Sequence, residues 1–229
     1  MSAPENHLIE LLTVTARRRL LAVSDLVPMT IKQVLCEPGI ATRFVYFPID
    51  GFISLVAPAD GKPSLEVGMA GREGMLGAEV ALGVLTSPLH ALVQGSGTAR
   101  RIGARAFRTE LRQSLDLRRV MDRYIYVLMG QLGTSAACVR FHQIGQRLAR
   151  WLLMSQDRAH SDRFHVTHEF LAYMLGVRRV GITAAAGILQ RNGLIEYQHG
   201  ELQVLDRAGL EHAACACYAD QSLSYANHL

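Results

Sequence analysis

The stretch Thr167–Ile195 reads THEFLAYMLGVRRVGITAAAGILQRNGLI, and its reading decides the fold. Thr167 predicts a helix start, because its hydroxyl can accept a backbone N–H that the first turn leaves unpaired. Glu169 then sets a negative charge at the positive end of the helix dipole. Phe170, Leu171, Met174 and Leu175 recur at helical spacing and predict one apolar face. Gly176 predicts the stop, since glycine enters the left-handed conformation without steric penalty. A second helix is predicted from about Arg178 to Asn192, with Ile182, Ala185, Ala186 and Leu189 facing inward and Gly193 ending it. Two short helices around a glycine-centred turn describe a helix-turn-helix.

The second helix carries Arg178, Arg179 and Thr183 on its outward face, near the end where a recognition helix contacts bases in a major groove. The segment EYQHGELQVLD follows, and its strand-like residues flank His199-Gly200, which predicts a two-residue hairpin turn. A hairpin directly after a recognition helix makes a winged helix. The competing reading of the same pattern is an αα-hairpin that only packs a core. Charge placement favours the first reading. The net charge is a modest +4, but residues 140–195 hold eight arginines against Asp157, Asp162 and Glu169, and the chain after Ile195 is acidic. Positive charge is thus concentrated where phosphates would lie.

A length of 229 residues allows one large or two ordinary domains, and a hydrophobic share of 49% is enough for a full core. No uncharged apolar run reaches the roughly 18 residues that a membrane helix needs. The opening MSAPENHLIELL has acids where a signal peptide needs bases, so a cytoplasmic location is expected. Cysteines 36, 138, 215 and 217 fit no disulfide framework. Cys215-Ala-Cys217 reads as helical, which points its two thiols about 200° apart and argues against joint zinc ligation. The cysteines are read as small buried residues, and neither a metal nor a cofactor is expected.

All seven prolines lie at or before Pro88, and ten of the twenty glycines lie between Gly51 and Gly103. Residues 30–105 therefore divide into short strands, namely IKQVLCEPG, RFVYFPIDG, FISLVAPADG, SLEVGMAGREG, LHALVQGSG and TARRIGARAF, broken by Gly, Pro or Asp-Gly. Six such runs argue for a β-sandwich or jelly roll. Ahead of them, residues 5–24 predict one amphipathic helix with Leu8, Leu11, Leu12, Leu20 and Leu21 as its apolar set and Arg17, Arg18 and Arg19 as its solvated end.

From residue 106 the period becomes helical. Leu117, Met121, Tyr124 and Leu128 form one stripe, and Ile125, Met129, Leu132 and Ala136 another. Two apolar sides need two partners: the chain's own β-domain and the same helix of a second chain. Leu117, Met121, Tyr124 and Leu128 are the expected dimerisation residues. Residues 138–158 predict a further helix with Ile144, Leu148, Trp151, Leu152 and Leu153 as its core face, and a closing helix starts at Asp206. The expected architecture is α+β. It comprises an N-terminal helix plus jelly-roll domain (1–105), a long dimerisation helix (106–137) and a winged helix-turn-helix domain (138–229).

Jelly roll, long helix and C-terminal winged helix, in that order, resemble the Crp/Fnr family of bacterial transcription regulators over nearly the whole chain. The most specific block is Val166–Leu205, with LGV before the recognition helix and QRNGLIEY leading into the wing. The resemblance implies a cytoplasmic homodimer that reads a palindromic operator while its cyclic-nucleotide-binding-like β-domain senses a signal. It also implies phosphate contacts at Thr167 and His168, with Arg191 as a further candidate. Two departures follow. The recognition-helix positions where many members carry a base-reading Glu and Arg hold Val180 and Ala184 here, so Arg178 and Arg179 must read more and the operator should differ. The sensor region GMLGAEVALGVLTSPLHALVQG keeps Glu79 but has no arginine between Arg72 and Arg100. A cyclic phosphate buried without a cation is costly, so cyclic AMP is not the expected signal. An iron–sulfur cluster needs grouped cysteines, and the N-terminal region has only Cys36. His90, His142 or another histidine could ligate a haem iron, although a lone histidine is more often a surface or core residue.

The alternative is a jelly-roll small-molecule-binding protein or enzyme with a helical protein-interaction domain. No HExxH, GxSxG or P-loop pattern occurs, and His90 is the one histidine of the β-region, too few for a cupin-type metal site, so no catalytic residue is assigned. Expected partners are double-stranded DNA, a second copy of the chain, RNA polymerase and a small-molecule effector of unassigned identity, with no membrane.

Overall fold

The structure is a computed structural model that describes residues 5–58 and 64–229; the expected Asp60-Gly61 turn lies outside them. Asn6 is fully buried and caps α1 (His7–Glu10), accepting from the Leu8 N–H while its own amide donates to the carbonyls of Pro48 and Gly74, both at 2.8 Å. The chain then breaks, and the Thr13 N–H donates to the Asp116 carboxylate before α2 (Val14–Ala22) begins. The single helix expected over 5–24 is therefore two, with Leu8, Leu12 and Leu20 buried and Leu11 exposed. The arginines are not simply a solvated end. Arg17 donates to the Ile9 and Glu10 carbonyls and Arg19 pairs with Glu110 at 3.1 Å, leaving Arg18 exposed.

Among the described residues, seven strands form the β-domain: β1 (Ser24–Met29), β2 (Val34–Cys36), β3 (Phe44–Pro48), β4 (Phe52–Ala57), β5 (Leu65–Ala70), β6 (His90–Gly95) and β7 (Gly97–Gly103). They make two antiparallel sheets, β1-β7-β3 and β2-β6-β4-β5. The strand-length runs with alternating faces thus fold as a sandwich, as expected. β1 starts earlier than the sequence suggests and contains Pro28, which is tolerated because β1 is an edge strand.

Residues 104–141 form two helices, α3 (Ala104–Gln113) and α4 (Leu115–Phe141). Ser114, extended at φ −127°, separates them and caps α4 by accepting the Leu117 N–H at 3.1 Å. The inner seam of α4 runs through Leu117, Met121, Tyr124, Gln131, Ser135 and Cys138, all buried within the one chain. Tyr124 donates to the Met75 carbonyl at 2.8 Å over Gly74, where a Cβ would stand 2.9 Å from the phenol oxygen. This corrects the assignment of Leu117, Met121, Tyr124 and Leu128 to dimerisation. The first three are fully buried with α1, α2 and the β-domain, and Leu128 packs partly against the same cores. Periodicity located both apolar stripes but carries no information on which partner takes which. The face left open on α4 contains Tyr126, Met129, Gly130, Gly133, Ala136 and Ala137.

α4 continues to Phe141, so Cys138–Phe141 close this helix, and α5 (Ile144–Ala159) starts after His142 in an extended backbone, φ −110° and ψ 146°. Leu148, Leu152, Leu153 and Trp151 of α5 are buried in the C-terminal core. The closing helix is also two: α8 (Arg207–Ala213), capped by Asp206, and α9 (Cys217–His228), which lies along α4 and T-stacks His228 on Tyr126 at 5.0 Å. Cys215 sits in the kink between them, outside either helix. The helical geometry that would separate the thiols of Cys215 and Cys217 is therefore absent.

The junction between the two domains is polar at its centre. Arg158 of α5 is buried and pairs with Glu73 at 2.7 Å, and burial is overcome by that carboxylate to hold the guanidinium firmly charged. Beside it Glu66 of β5 accepts from the Ser54 hydroxyl, and burial, opposed by Ser54 and by Arg158 and Arg150, raises its carboxyl from 4.5 to about 7. A carboxyl that binds its proton more tightly when folded loses folded stability as pH rises through that window. Thermal unfolding of the native chain should therefore show a stability decrement from this group between pH 4.5 and about 7, and Glu66→Gln should flatten it. An unchanged pH profile in Glu66→Gln would show that this carboxyl titrates normally.

Candidate nucleic-acid interface

The C-terminal domain adds β8 (Arg163–His165), α6 (His168–Leu175), α7 (Arg179–Arg191), β9 (Ile195–Gln198) and β10 (Glu201–Val204). The Thr167 hydroxyl accepts the Phe170 N–H at 3.1 Å, as its identity predicts. Gly176 takes φ +62°, and the following Val177 N–H closes onto the Ala172 carbonyl at 3.0 Å, which turns the chain sharply. The two helices meet at 108°, within the helix-turn-helix range. Ile182, Ala185, Ala186 and Leu189 are all buried, so the predicted inner face of α7 holds. Arg147 of α5 fixes the motif from behind by donating to the Leu175 carbonyl at the end of α6.

The wing forms as the dipeptide predicts. His199 and Gly200 both have positive φ, +51° and +87°, the pattern of a type I′ turn, and β10 pairs with β9 on one side and β8 on the other.

With the inner face committed, α7 presents Arg178, Arg179, Val180, Thr183 and Ala184 to solvent from its N-terminal half, with Val180 73% exposed. Arg178 and Arg179 make no ion pair among the described residues. Arg191 is exposed at the opposite end of α7, about 18 Å along the axis from Arg179 at 1.5 Å per residue. The local excess of arginine is smaller at the surface than in the sequence, because Arg147, Arg150 and Arg158 are buried. Arg163, Arg178, Arg179 and Arg191 are the exposed basic residues of this domain's helix-turn-helix and wing.

His168 behaves differently from the expectation of a free phosphate contact. Its ring stacks on Tyr197 of β9, centroids 4.4 Å apart at 17°, and its Nδ1 lies 3.0 Å from the Thr183 hydroxyl. That hydroxyl already donates to the Arg179 carbonyl at 3.1 Å, so Nδ1 must carry the proton and donate to Thr183. Tyr197 in turn donates to the Val166 carbonyl at 3.0 Å. His168 is thus a bracket between α6, α7 and the wing, and Thr183 is occupied by it. Sequence reasoning missed Tyr197, whose position in β9 gave no signal beyond strand propensity. In the β-domain, Glu79 is also engaged, accepting from the Thr42 hydroxyl at 2.8 Å.

Residues 146–213 match the family of Crp-like helix-turn-helix domains. This part of the chain is a Crp-like helix-turn-helix domain. No curated protein matches the chain. Among solved structures, the chain is similar to a regulator assigned to the Crp/Fnr family from Eubacterium rectale, with 14% identity, a TM-score of 0.71 and coverage of 88% of this chain and 94% of that one. It is similar to a CRP-family transcriptional regulator from Thermus thermophilus, with 21% identity, a TM-score of 0.68 and coverage of 82% and 96%. It is also similar to CLP, a c-di-GMP-responsive global regulator from Xanthomonas campestris, with 16% identity, a TM-score of 0.69 and coverage of 85% and 100%. The fold is therefore that of Crp/Fnr regulators from the sandwich to the wing. No single helix among the described residues is long and apolar enough to cross a membrane.

Burial, followed by the nearby Arg179, lowers the His168 pKa from 6.5. A histidine that resists protonation when folded leaves stability in place above its ordinary pKa and gives it up as pH falls below that value. Ring-resolved NMR titration should place His168 below 6.5, and His168→Gln should lose part of the acid sensitivity of the domain. A His168 ring that titrates at or above the ordinary histidine value would refute the bracket.

Proposed function

We propose that the protein is a homodimeric, DNA-binding transcription regulator that reads a palindromic operator with two copies of α7, one in each major groove. The observation that carries this reading is the unpaired, exposed Arg178–Arg179 pair at the N-terminal end of α7, on a helix whose opposite face is fully committed to the core. An arginine fork bonds both acceptors of a guanine edge. Val180 and Ala184 stand beside the pair and are apolar, which suits contact with thymine methyl groups. Thr167, Arg163 and Arg191 lie where they can meet phosphates on either side, and the wing adds the His199 tip. The β-domain acts as the sensor and the chain works in the cytoplasm, with RNA polymerase as a further partner at promoters. No arginine is available in the 73–99 segment for a cyclic phosphate, so the effector is not cyclic AMP.

Selection of operator fragments from a randomised duplex pool, followed by binding measurements across salt concentrations, tests the reading. Arg179→Ala should weaken operator binding by about 1–3 kcal/mol and relax preference at one base position. Arg191→Ala should weaken all sequences about equally and reduce the salt slope by about one. Unchanged affinity and preference in Arg179→Ala would remove α7 as the reading element.

For the dimer, the open face of α4 around Met129, Gly133 and Ala136 is the proposed contact, in place of the buried seam. A Cβ added at Gly133 meets nothing within 4 Å in the chain. Gly133→Leu should therefore fold with an intact β-domain but sediment as a monomer, since the added side chain holds two close-packed helices apart. A Gly133→Leu variant that sediments as a dimer would move the interface elsewhere.

A further inference from the structure

Four soft ligand residues, far apart in sequence, converge where α4 ends. Cys138 lies in the last turn of α4 and His142 follows four residues later at its C-terminal cap. Cys215 sits in the α8–α9 kink, and Cys217 opens α9. The three sulfurs and one histidine nitrogen all lie within 4.8 Å of one another. The Cys138 and Cys215 sulfurs are 3.5 Å apart, and the Cys217 sulfur is 3.5 Å from His142 Nδ1. A tetrahedral zinc with Zn–S near 2.3 Å and Zn–N near 2.0–2.1 Å spaces its ligands about 3.5–3.8 Å apart. The three cysteines are free thiols, and among the described residues no carboxylate belongs to the group.

The surroundings fit the same ion. The three cysteines are buried and form a small cluster of their own, separate from the larger apolar cores. Next to them, Arg147 and Arg150 of α5 are buried, and neither has a carboxylate within ion-pair distance among the described residues. Buried cations without a counter-charge are costly. Zinc bound by three thiolates and a neutral imidazole carries a net charge of −1, which would offset part of this buried positive charge.

We propose that Cys138, His142, Cys215 and Cys217 form a closed, structural zinc site that fastens the C-terminal helix to the end of the long helix. The clamp spans the His142–Gln143 break between α4 and α5, the joint about which the DNA-binding domain is set. It leaves no open coordination position, so it supplies position and stability, with no hydrolytic chemistry. Because the ligands must be deprotonated to bind, metal occupancy and folding of this corner are coupled.

The test uses the full chain, purified reduced without chelator. Elemental analysis should find stoichiometric zinc, and replacement with cobalt should give the intense visible bands of a tetrahedral ion together with thiolate charge transfer. Cys217→Ser should weaken cobalt binding by more than about ten-fold, since even loss of an outer-shell partner costs about 10–100-fold. Cys36→Ser, remote from the cluster, should bind as the native chain does. Chelator should lower the melting temperature of the native chain and of Cys36→Ser, and leave that of Cys217→Ser unchanged. Native chain that takes up neither zinc nor cobalt, an octahedral cobalt spectrum, or a Cys138–Cys215 disulfide in freshly isolated metal-free protein would each overturn the proposal.

Discussion

One helix has to satisfy two neighbours at once and leaves a third face open, and most of the structure follows from how α4 divides its circumference. Over 27 residues, about 40 Å, its seam from Leu117 to Cys138 faces its own chain at steps of four and three. The N-terminal half of that seam closes the β-domain core, where Tyr124 reaches a backbone carbonyl that only a glycine at position 74 leaves accessible. The C-terminal half turns polar and small, through Gln131, Ser135 and Cys138, because it meets β5 and the α8–α9 kink. A third face stays open. Its glycines and alanines are poor material for a core and good material for close approach of another helix.

The link between the β-domain and the C-terminal domain combines one apolar core, in which Phe52, Val56 and Met69 join Leu148, Trp151 and Leu152, with buried arginines of α5. Arg158 reaches across to Glu73, Arg147 holds the end of α6, and Arg150 holds Gln221 of α9 at 2.8 Å. All three come from α5, so this helix is oriented at once toward the sandwich, the helix-turn-helix and the C-terminal helix. Removing one partner of such a buried pair leaves an uncompensated charge, which costs far more than the pair contributes. Glu66 adds a carboxyl whose proton affinity is set by the same burial, at the same junction. The relative setting of the domains is therefore sensitive to charge at a few buried atoms.

How much of this was legible in the sequence depends on the range of the signal. The helix-turn-helix and wing were readable because each clue acts within a few residues: Thr167 caps three residues on, Gly176 supplies a positive φ, and His199-Gly200 forces one turn type. Short strands between glycines and prolines gave the sandwich, although Pro28 hid the first of them. The partner of a stripe was not readable, since Leu117 and Met129 look alike until tertiary packing decides which is covered. The corner formed by Cys138, His142, Cys215 and Cys217 was hidden for a related reason. Its two halves are separated by more than seventy residues, and a continuous closing helix over 207–225 conceals the kink that turns Cys215 inward.

The difference between sequence charge and surface charge also bears on how DNA is held. Eight arginines in residues 140–195 suggest a strongly basic domain, yet three of them serve internal contacts, and His168 is engaged by Tyr197 and Thr183, with burial and then Arg179 lowering its pKa. Of the five arginines that remain exposed, Arg140 stands on α4 and four lie on the helix-turn-helix and wing, two of them at the N-terminal end of α7, so each chain supplies few phosphate contacts. Non-specific affinity grows with the number of phosphates neutralised, so a single domain of this kind holds DNA weakly. In the proposed dimer a second domain on the same duplex binds at high effective concentration, which multiplies a weak single-site affinity without any new contact. Specific binding then depends on the spacing of the two α7 helices, and that spacing is fixed by α4 and by the joint at His142. A modest change of angle at that joint is felt at both grooves at once.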